Sequence, residues 1–347
     1  MAVKNASLGA LMERPLGACF PSDADVKKYV LPVVKTIPHA LEELAEEADA
    51  SALKGKLQGY IAAHQVRGTI AEFENRFAAQ TLDPDALDTL ARTIRHYHNS
   101  LRGGMLHLAG RITEDTRLHR DLRDRIGAAG PLFAAFDEFT TNPDYVISLA
   151  VPLVRAFVRE VGHSYKEDDI VRVLTDKGML LKDEPHLERF YGVVDELHKA
   201  GRITYTSADL DQENPLETLR GKAVDAYQAR RIMTGRPDIA NAAVAAFMFG
   251  NETVTGILYG KLYKGFKKFQ REYGLSDHAC NYFGDHASED GEIGGPAFEQ
   301  SHANLMLDSV MVYATLGREQ RGQMVKGLHL FLKTYDGLVR GLCEVID

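Results

Sequence analysis

The sequence predicts an all-α protein. Apolar residues recur every three or four positions along most of the 347 residues, which is the period of helices with one buried face. Strand-like alternation is nearly absent, and the tripeptide Arg202-Ile203-Thr204 after Gly201 is the one candidate for a short extended piece. Amphipathic helices joined by short loops must bury their apolar stripes on one another, so we expect a helical bundle.

The predicted helices are marked by recognisable start and stop residues. Asp85 is expected to cap the helix that begins at position 86. Gly274 is expected to end the long helix that follows Asp238, and Pro296 is expected to open the helix after Gly294-Gly295. The expected helices span 25–50, 52–80, 86–111, 114–127, 144–162, 216–234, 239–272, 276–293, 296–315 and 318–345. Residues 163–215 are more polar, with short helical pieces at 167–176 and 186–200, and are expected to be an insertion or a subdomain boundary.

Composition and charge narrow the class of protein. Hydrophobic residues make up 45% of the chain and charged residues 26%, which is typical of a globular protein. The net charge of −8 argues against nucleic-acid binding, since phosphate contacts need clustered lysine and arginine. The basic stretch Lys261–Lys268 is interpreted as a solvated helix face. No run of about 18 apolar residues occurs, so no membrane span is expected.

The cysteines predict a reducing compartment. The chain has three of them, Cys19, Cys280 and Cys343, which are widely spaced and form no CxxC motif. The first twenty residues contain no continuous apolar stretch of the kind found in a secretory signal. We therefore expect a cytoplasmic protein.

The stretch from Tyr282 to Ile293 contains the first candidate metal ligands. On a helix, His286 and Asp290 would lie on adjacent turns of one face, where an imidazole and a carboxylate can bind one metal. Nitrogen and oxygen ligands together suit iron or manganese better than a zinc–thiolate site. The alternative interpretation is a surface ion pair.

Glu252 is a second candidate, because it stands in a strongly apolar helix. Met248, Thr255, Gly256 and Tyr259 share its predicted face. A carboxylate in such surroundings is costly unless it is paired, protonated or bound to a metal. The alternative is that this side of the helix is exposed.

Glu160 and His163 form a third candidate. The Glu-x-x-His spacing is the one that helical bundles use to present two ligands to a di-iron site. The pair follows the apolar helix Val146–Val161, and the alternative is that His163 only interacts with the carbonyl end of that helix.

Several other residues compete for a functional role. Histidines near one predicted helix could be structural or could face a haem, and His302 could replace a missing metal ligand. Cys280 lies near His278, but no third group completes a nucleophilic site there. The competing histidines are His96, His98, His107, His278, His286 and His302.

The chain from Glu252 to Asp290 resembles the haem-oxygenase-like superfamily. This superfamily includes thiaminase II, pyrroloquinoline-quinone synthase and iron-containing redox enzymes called haem-oxygenase-like di-iron oxidases. The resemblance lies in a long helix with Glu252, the turn Tyr273-Gly274-Leu275, and Tyr282-Phe283 ahead of His286. It implies a haem-oxygenase-like helical bundle over 141–347 with an insertion at about 164–215. Residues 1–140 would be additional N-terminal helices, packed on that bundle or part of it.

The resemblance also implies a ligand set. Its di-iron members place a Glu and a His on one helix, a Glu on a second and His-x-x-x-Asp-x-x-His on a third. Ile293 stands where the last histidine of that pattern is expected. Glu289, Glu292 or His302 could substitute, or the site holds one metal or none. The expected metal ligands are Glu160, His163, Glu252, His286 and Asp290.

The function implied by the resemblance is oxidation of a small metabolite, such as an amino-acid derivative, by O₂ at non-haem iron. The cofactor would be Fe²⁺, with two ions in a complete site. One alternative is a haem-dependent or cofactorless enzyme of the same fold, and another is a helical binding protein without catalytic activity. The expected partner is a small-molecule substrate, with no nucleic acid and no membrane, and a homodimer is plausible because twofold dimers are the commonest soluble oligomers.

Overall fold

The computed structural model describes residues 21–98, 108, 111, 115, 186–287 and 298–346. Helices of eight or more residues are labelled α1 to α9. They are α1 Ala50–Ala63, α2 Val66–Ala79, α3 Pro84–Thr93, α4 His186–Lys199, α5 Lys222–Gly235, α6 Asn241–Lys268, α7 Asp277–Asp285, α8 Phe298–Ala314 and α9 Arg318–Ile346. Shorter helical segments are Asp23–Asp25, Val26–Val30, Leu31–Val34, His39–Glu42, Glu43–Glu46, Ile94–His98, Ser207–Gln212, Pro215–Thr218 and Gln270–Tyr273. No strand occurs in the described ranges, which confirms the all-α class there and shows that the extended piece predicted at 202–204 was wrong.

Side-chain caps explain where several helices begin. Asp49 accepts a hydrogen bond from the Ala52 backbone at the start of α1. Asp83, rather than the predicted Asp85, caps α3 by accepting a 2.8 Å bond from the Ala86 backbone. Pro84 then fills the first helical position, where its fixed φ is favourable and its missing N–H is not needed. The cap therefore lies two residues earlier than the sequence analysis placed it.

Some predicted helices are shorter than expected. The helix predicted over 25–50 is interrupted at 35–38, next to Pro38, and its helical structure ends at Glu46. The helix predicted over 52–80 is two helices, α1 and α2, with a break at His64 and Gln65. Apolar spacing continues across this break, which is why the periodicity did not reveal it.

The helix α6 is the centre of the bundle. Every residue from Ala242 to Tyr259 is buried, so the helix is enclosed around its whole circumference. It packs against α2, α7, α8 and α9. None of the helices in the described ranges has both the length and the continuous apolar character needed to cross a bilayer.

The helices α6 and α9 approach each other closely at glycines. A Cβ atom added to Gly327 would lie 1.9 Å from the carbonyl oxygen of Ala243, inside the backbone of α6. A Cβ atom added to Gly250 would lie 2.6 Å from the Phe331 ring. The absence of side chains at Gly250 and Gly327 therefore sets the separation of the two longest helices.

The described part of the predicted insertion packs into the main core. In α4, Phe190 and Val194 are fully enclosed, and the Phe190 ring lies 5.5 Å from that of Tyr282 in α7. Phe190 and Val194 belong to one continuous cluster of buried apolar residues that extends from Val30 to Ile346. The polar character of the segment comes from its outer face, which carries ion pairs such as Arg189 with Asp285.

Candidate functional site

Glu252 is buried in the middle of α6. Only 5% of the residue is exposed, and Oε1 accepts a 3.0 Å hydrogen bond from Nδ2 of the neighbouring Asn251. The sequence analysis left open whether this glutamate lies on an exposed helix surface, and the structure shows that it does not. A carboxylate enclosed to this degree is costly unless other groups compensate its charge, so its position calls for a functional or structural explanation.

The same face of α6 bears Thr255 and Tyr259. These residues follow Glu252 by three and seven positions, which places them one and two turns further along one side of the helix. The Thr255 hydroxyl is buried without a hydrogen-bond partner in the described part of the protein. Tyr259 is 2% exposed and contacts aromatic rings from other helices. The face that the sequence grouped around Glu252 therefore points into the protein.

His286 is the C-terminal cap residue of α7 and is 6% exposed. Its Nδ1 atom is hydrogen-bonded to the backbone carbonyl of Tyr282, one turn earlier. Because a carbonyl oxygen can only accept, Nδ1 carries the proton, and in the neutral ring the lone pair belongs to Nε2. Fixing one ring nitrogen in this way is how proteins orient a histidine that uses the other nitrogen as a ligand or base.

The premise that His286 lies inside a helix was wrong. We predicted a helix from about 276 to Gly294-Gly295, but α7 ends at Asp285. The start at Ser276 agrees, since its hydroxyl accepts a hydrogen bond from the Ala279 backbone. The end comes early because Gly284, Ser288 and Gly291 are poor helix formers, and the Nδ1 bond to Tyr282 closes the last turn at His286.

Tyr259 links α6 to α7 in a cluster of aromatic rings. Its ring centroid lies 5.0 Å from that of His286 and 5.9 Å from that of Tyr282, and the two tyrosine hydroxyls are 3.2 Å apart. The Phe266 and Phe283 rings stack at 4.6 Å further along the same pair of helices. The pairings 266 with 283 and 259 with 286 show that α7 runs antiparallel to α6, so His286 is at the end of α7 nearer to Glu252.

His98 also contacts the Tyr259 ring. It ends the π-helical turn Ile94–His98 that continues α3, and its ring is 5.3 Å from Tyr259, 5.2 Å from Tyr97 and 5.9 Å from Tyr335. The residue as a whole is half-buried, but both ring nitrogens are enclosed, and neither has a hydrogen-bond partner in the described residues. Burial, and secondarily the charge of Arg230, lowers the pKa of His98 to about 3. The ring is therefore neutral at physiological pH.

From the sequence, His98 is one of several competing histidines and has no assigned role. The sequence feature that could have indicated a role for His98 is its position directly after Tyr97, at the end of the apolar segment that forms α3. The direction of the His98 ring depends on the π turn, and no residue in the sequence predicted that turn.

His96 faces a different set of groups. Its Nε2 atom lies 3.1 Å from Glu213, which also pairs with Arg92. Burial and the charges of Arg95, Arg92 and Arg230 lower the pKa of His96 to about 4, so it donates to Glu213 as a neutral ring. This residue joins α3 to the segment after α4 and has a structural role.

The cysteine alternative loses support. Burial raises the pKa of the Cys280 thiol to about 11, so the thiolate is not formed at neutral pH. His278, two residues away, is exposed at the surface of α7.

Of the five predicted metal ligands, the structure describes Glu252 and His286. Glu160, His163 and Asp290 lie outside the described residues, as do His107, Glu289, Glu292 and Ile293. Within the described ranges, no three His, Cys, Asp or Glu side chains are placed to hold a metal ion together. The donor chemistry of the two described residues fits iron, because a buried carboxylate and an imidazole with its lone pair on Nε2 are typical ligands of that metal. A complete site would need ligands from the other three positions.

Comparisons of the whole chain with protein-family models, with curated proteins and with solved structures give no match.

Proposed function

We propose that this protein is an O₂-dependent oxidase or oxygenase that binds iron and acts on a small metabolite. The observation that carries the proposal is the burial of Glu252 on α6 and of His286 at the end of α7, with Tyr259, two turns from Glu252 on the same helix face, in ring contact with His286. Their residue types, their order in the chain and the Tyr282-Phe283 pair before His286 are those of the haem-oxygenase-like di-iron oxidases, so we propose that fold as well.

In this proposal, His286 would bind iron through Nε2 and Glu252 through its carboxylate. Glu160, His163 and Asp290 would complete the ligand set. Iron, when bound, would supply the activation of O₂, which amino-acid side chains cannot provide. The Tyr282 carbonyl holds the His286 ring in one tautomer and one orientation, and such outer contacts typically affect metal affinity by about 10–100-fold.

The surrounding residues would exclude water and position the substrate. Ala246, Phe249 and Ile257 are apolar, are buried on α6 and would line an apolar pocket. His98 and Thr255 bring polar atoms to the same region, and a hydroxyl, amine or carboxylate of a bound metabolite would satisfy them. The neutral His98 ring can donate through one nitrogen and accept through the other.

The test is iron bound per chain after anaerobic loading with Fe²⁺, together with a visible spectrum. We expect the wild-type protein to retain iron without a Soret band. Glu252→Gln and His286→Ala should each weaken iron binding at least 10-fold, since direct ligands matter at least as much as the groups that orient them. Glu252→Gln keeps the side-chain volume and removes only the charge.

His278→Ala is the matched control, because it removes an exposed histidine from the same helix and should leave iron binding unchanged. Unchanged iron in His286→Ala, with folding verified by circular dichroism, would refute the assignment. A Soret band in the wild-type protein would point instead to the haem-dependent alternative. Neither iron nor a Soret band would favour a helical binding protein.

A further inference from the structure

A cavity that includes neither Glu252 nor His286 lies between α3 and the start of α5. It has a volume of about 280 Å³ and is partly open to solvent. Its polar lining comes from α3 and from the segment before α5, and consists of Asp88, Thr89, Arg92, Thr93, Thr218 and Arg220. The lining brings together two guanidinium groups and three hydroxyls, of which the Thr218 hydroxyl already donates to the Asn214 carbonyl.

Thr93 provides the observation that points to a ligand. The residue is 1% exposed, it lines the cavity, and its hydroxyl has no hydrogen-bond partner in the described part of the chain. A buried threonine in a helix commonly satisfies its hydroxyl by bonding to a carbonyl one turn earlier, as Thr234 does with Arg230. An enclosed hydroxyl without a partner is costly, and a bound acceptor group would remove that cost.

The charges in the cavity favour an anionic acceptor. Nε of Arg92 donates to both oxygens of Asp88, at 3.0 and 2.9 Å, so this carboxylate is neutralised by the guanidinium beside it. Arg220 uses Nη1 for the backbone carbonyls of Glu217 and, at 3.1 Å, Leu219, and this exposed residue lines the cavity. Because Arg92 also pairs with Glu213, the positive charge that the cavity offers to a ligand is that of Arg220, which donates to backbone carbonyls. The first turn of α5, at Ala223, adds the partial positive charge of a helix N-terminus.

We propose that this cavity binds an oxyanion, the phosphate or carboxylate group of a small molecule. Thr93, which is buried, and Arg220, which is exposed, would donate to this group together with the hydroxyl of Thr89. Charge-assisted hydrogen bonds of this kind are stronger than neutral ones, and a guanidinium suits the planar or tetrahedral oxygens of such a group.

The experiment is calorimetric titration of the full chain with inorganic phosphate and, separately, with succinate, each against chloride at equal ionic strength. We expect saturable binding of one anion per chain. Thr93→Val should lower the affinity about tenfold, because the loss of one hydrogen bond to a charged group is worth at least that factor. Arg220→Gln should do the same and should also reduce the dependence of binding on salt.

Thr93→Val is expected to fold at least as well as the wild type, since it removes an unsatisfied buried hydroxyl while keeping the shape of the side chain. Thr234→Val is the matched control: it removes a threonine hydroxyl at the far end of α5 and should leave anion affinity unchanged. Binding of phosphate alone would identify a phosphate site, and binding of succinate alone a carboxylate site. If neither anion binds more tightly than chloride, or if Thr93→Val binds as the wild type does, the proposal is wrong.

Discussion

Replacing Gly327 with alanine is expected to destabilise the protein by about 3 kcal/mol or more, toward the upper end of what overpacking costs. The added methyl carbon would lie 1.9 Å from the Ala243 carbonyl oxygen. Because the conflicting atom belongs to the backbone of a buried helix, no side-chain rotation can relieve the contact. The helices α6 and α9 would have to separate, and both core packing and the position of Glu252 would suffer. The free energy of unfolding from urea denaturation measures this effect.

Gly322→Ala is the matched control. Gly322 is in the same helix α9, and a Cβ atom added there would have no neighbour within 4 Å. Alanine has the higher helix propensity, so this variant should be unchanged or up to about 1 kcal/mol more stable. Equal unfolding free energies for the two variants would show that α6 and α9 are not in close contact at this point.

Acidification from pH 7 to pH 5 is expected to cost about 4 kcal/mol of stability through two histidines. The pKa values of His96 and His98 are lowered in the folded protein to about 4 and about 3, while both residues return to a value near 6.5 on unfolding. Between these values the unfolded chain binds more protons than the folded one. The contribution of each neutral histidine to the free energy of unfolding therefore has its full value above pH 6.5. It decreases by about 1.4 kcal/mol for each pH unit below that value. Urea denaturation at pH 7, 6 and 5 measures the loss.

His98→Phe separates the contribution of His98 from the rest. Phenylalanine preserves the ring contacts with Tyr97, Tyr259 and Tyr335 and cannot be protonated. The loss between pH 7 and pH 5 should then be about 2 kcal/mol smaller than in the wild type. His278→Gln, which removes an exposed histidine, should keep the wild-type pH dependence. An unaltered pH dependence in His98→Phe would mean that His98 is solvated or ion-paired in the folded protein.

The sequence predicted helix identity better than helix ends. The long apolar helix α6 and the C-terminal helix α9 have strong periodicity, and both lie close to where they were predicted. The break between α1 and α2 was missed because apolar spacing persists through His64 and Gln65. The early end of α7 was missed for a different reason: the bond between the His286 ring and the Tyr282 carbonyl is one of several local ways to satisfy a helix end, and residue spacing does not distinguish between them.

For the candidate site, the sequence predicted which residues are unusual but not how they meet. The apolar residues around Glu252 marked it as unusual but left open an exposed helix side, and the burial of α6 on all sides decides for the interior. The contact of Tyr259 with both His98 and His286 depends on how α3, α6 and α7 cross, which periodicity does not specify. The metal-binding role of Glu252 and His286, and of Glu160, His163 and Asp290, stays a prediction.

The π-helical turn at Ile94–His98 sets the rotational phase of its last residue, His98, relative to α3. A π turn accommodates one more residue than an α-helical turn over nearly the same length, so its end is rotated by about 100° relative to an uninterrupted helix. Deleting one residue inside the turn would restore α-helical phase without removing any side chain from the core upstream. His98 would then leave Tyr259, and a neighbouring side chain would take its place. Which residue faces Tyr259 therefore depends on the number of residues in the turn as much as on their types.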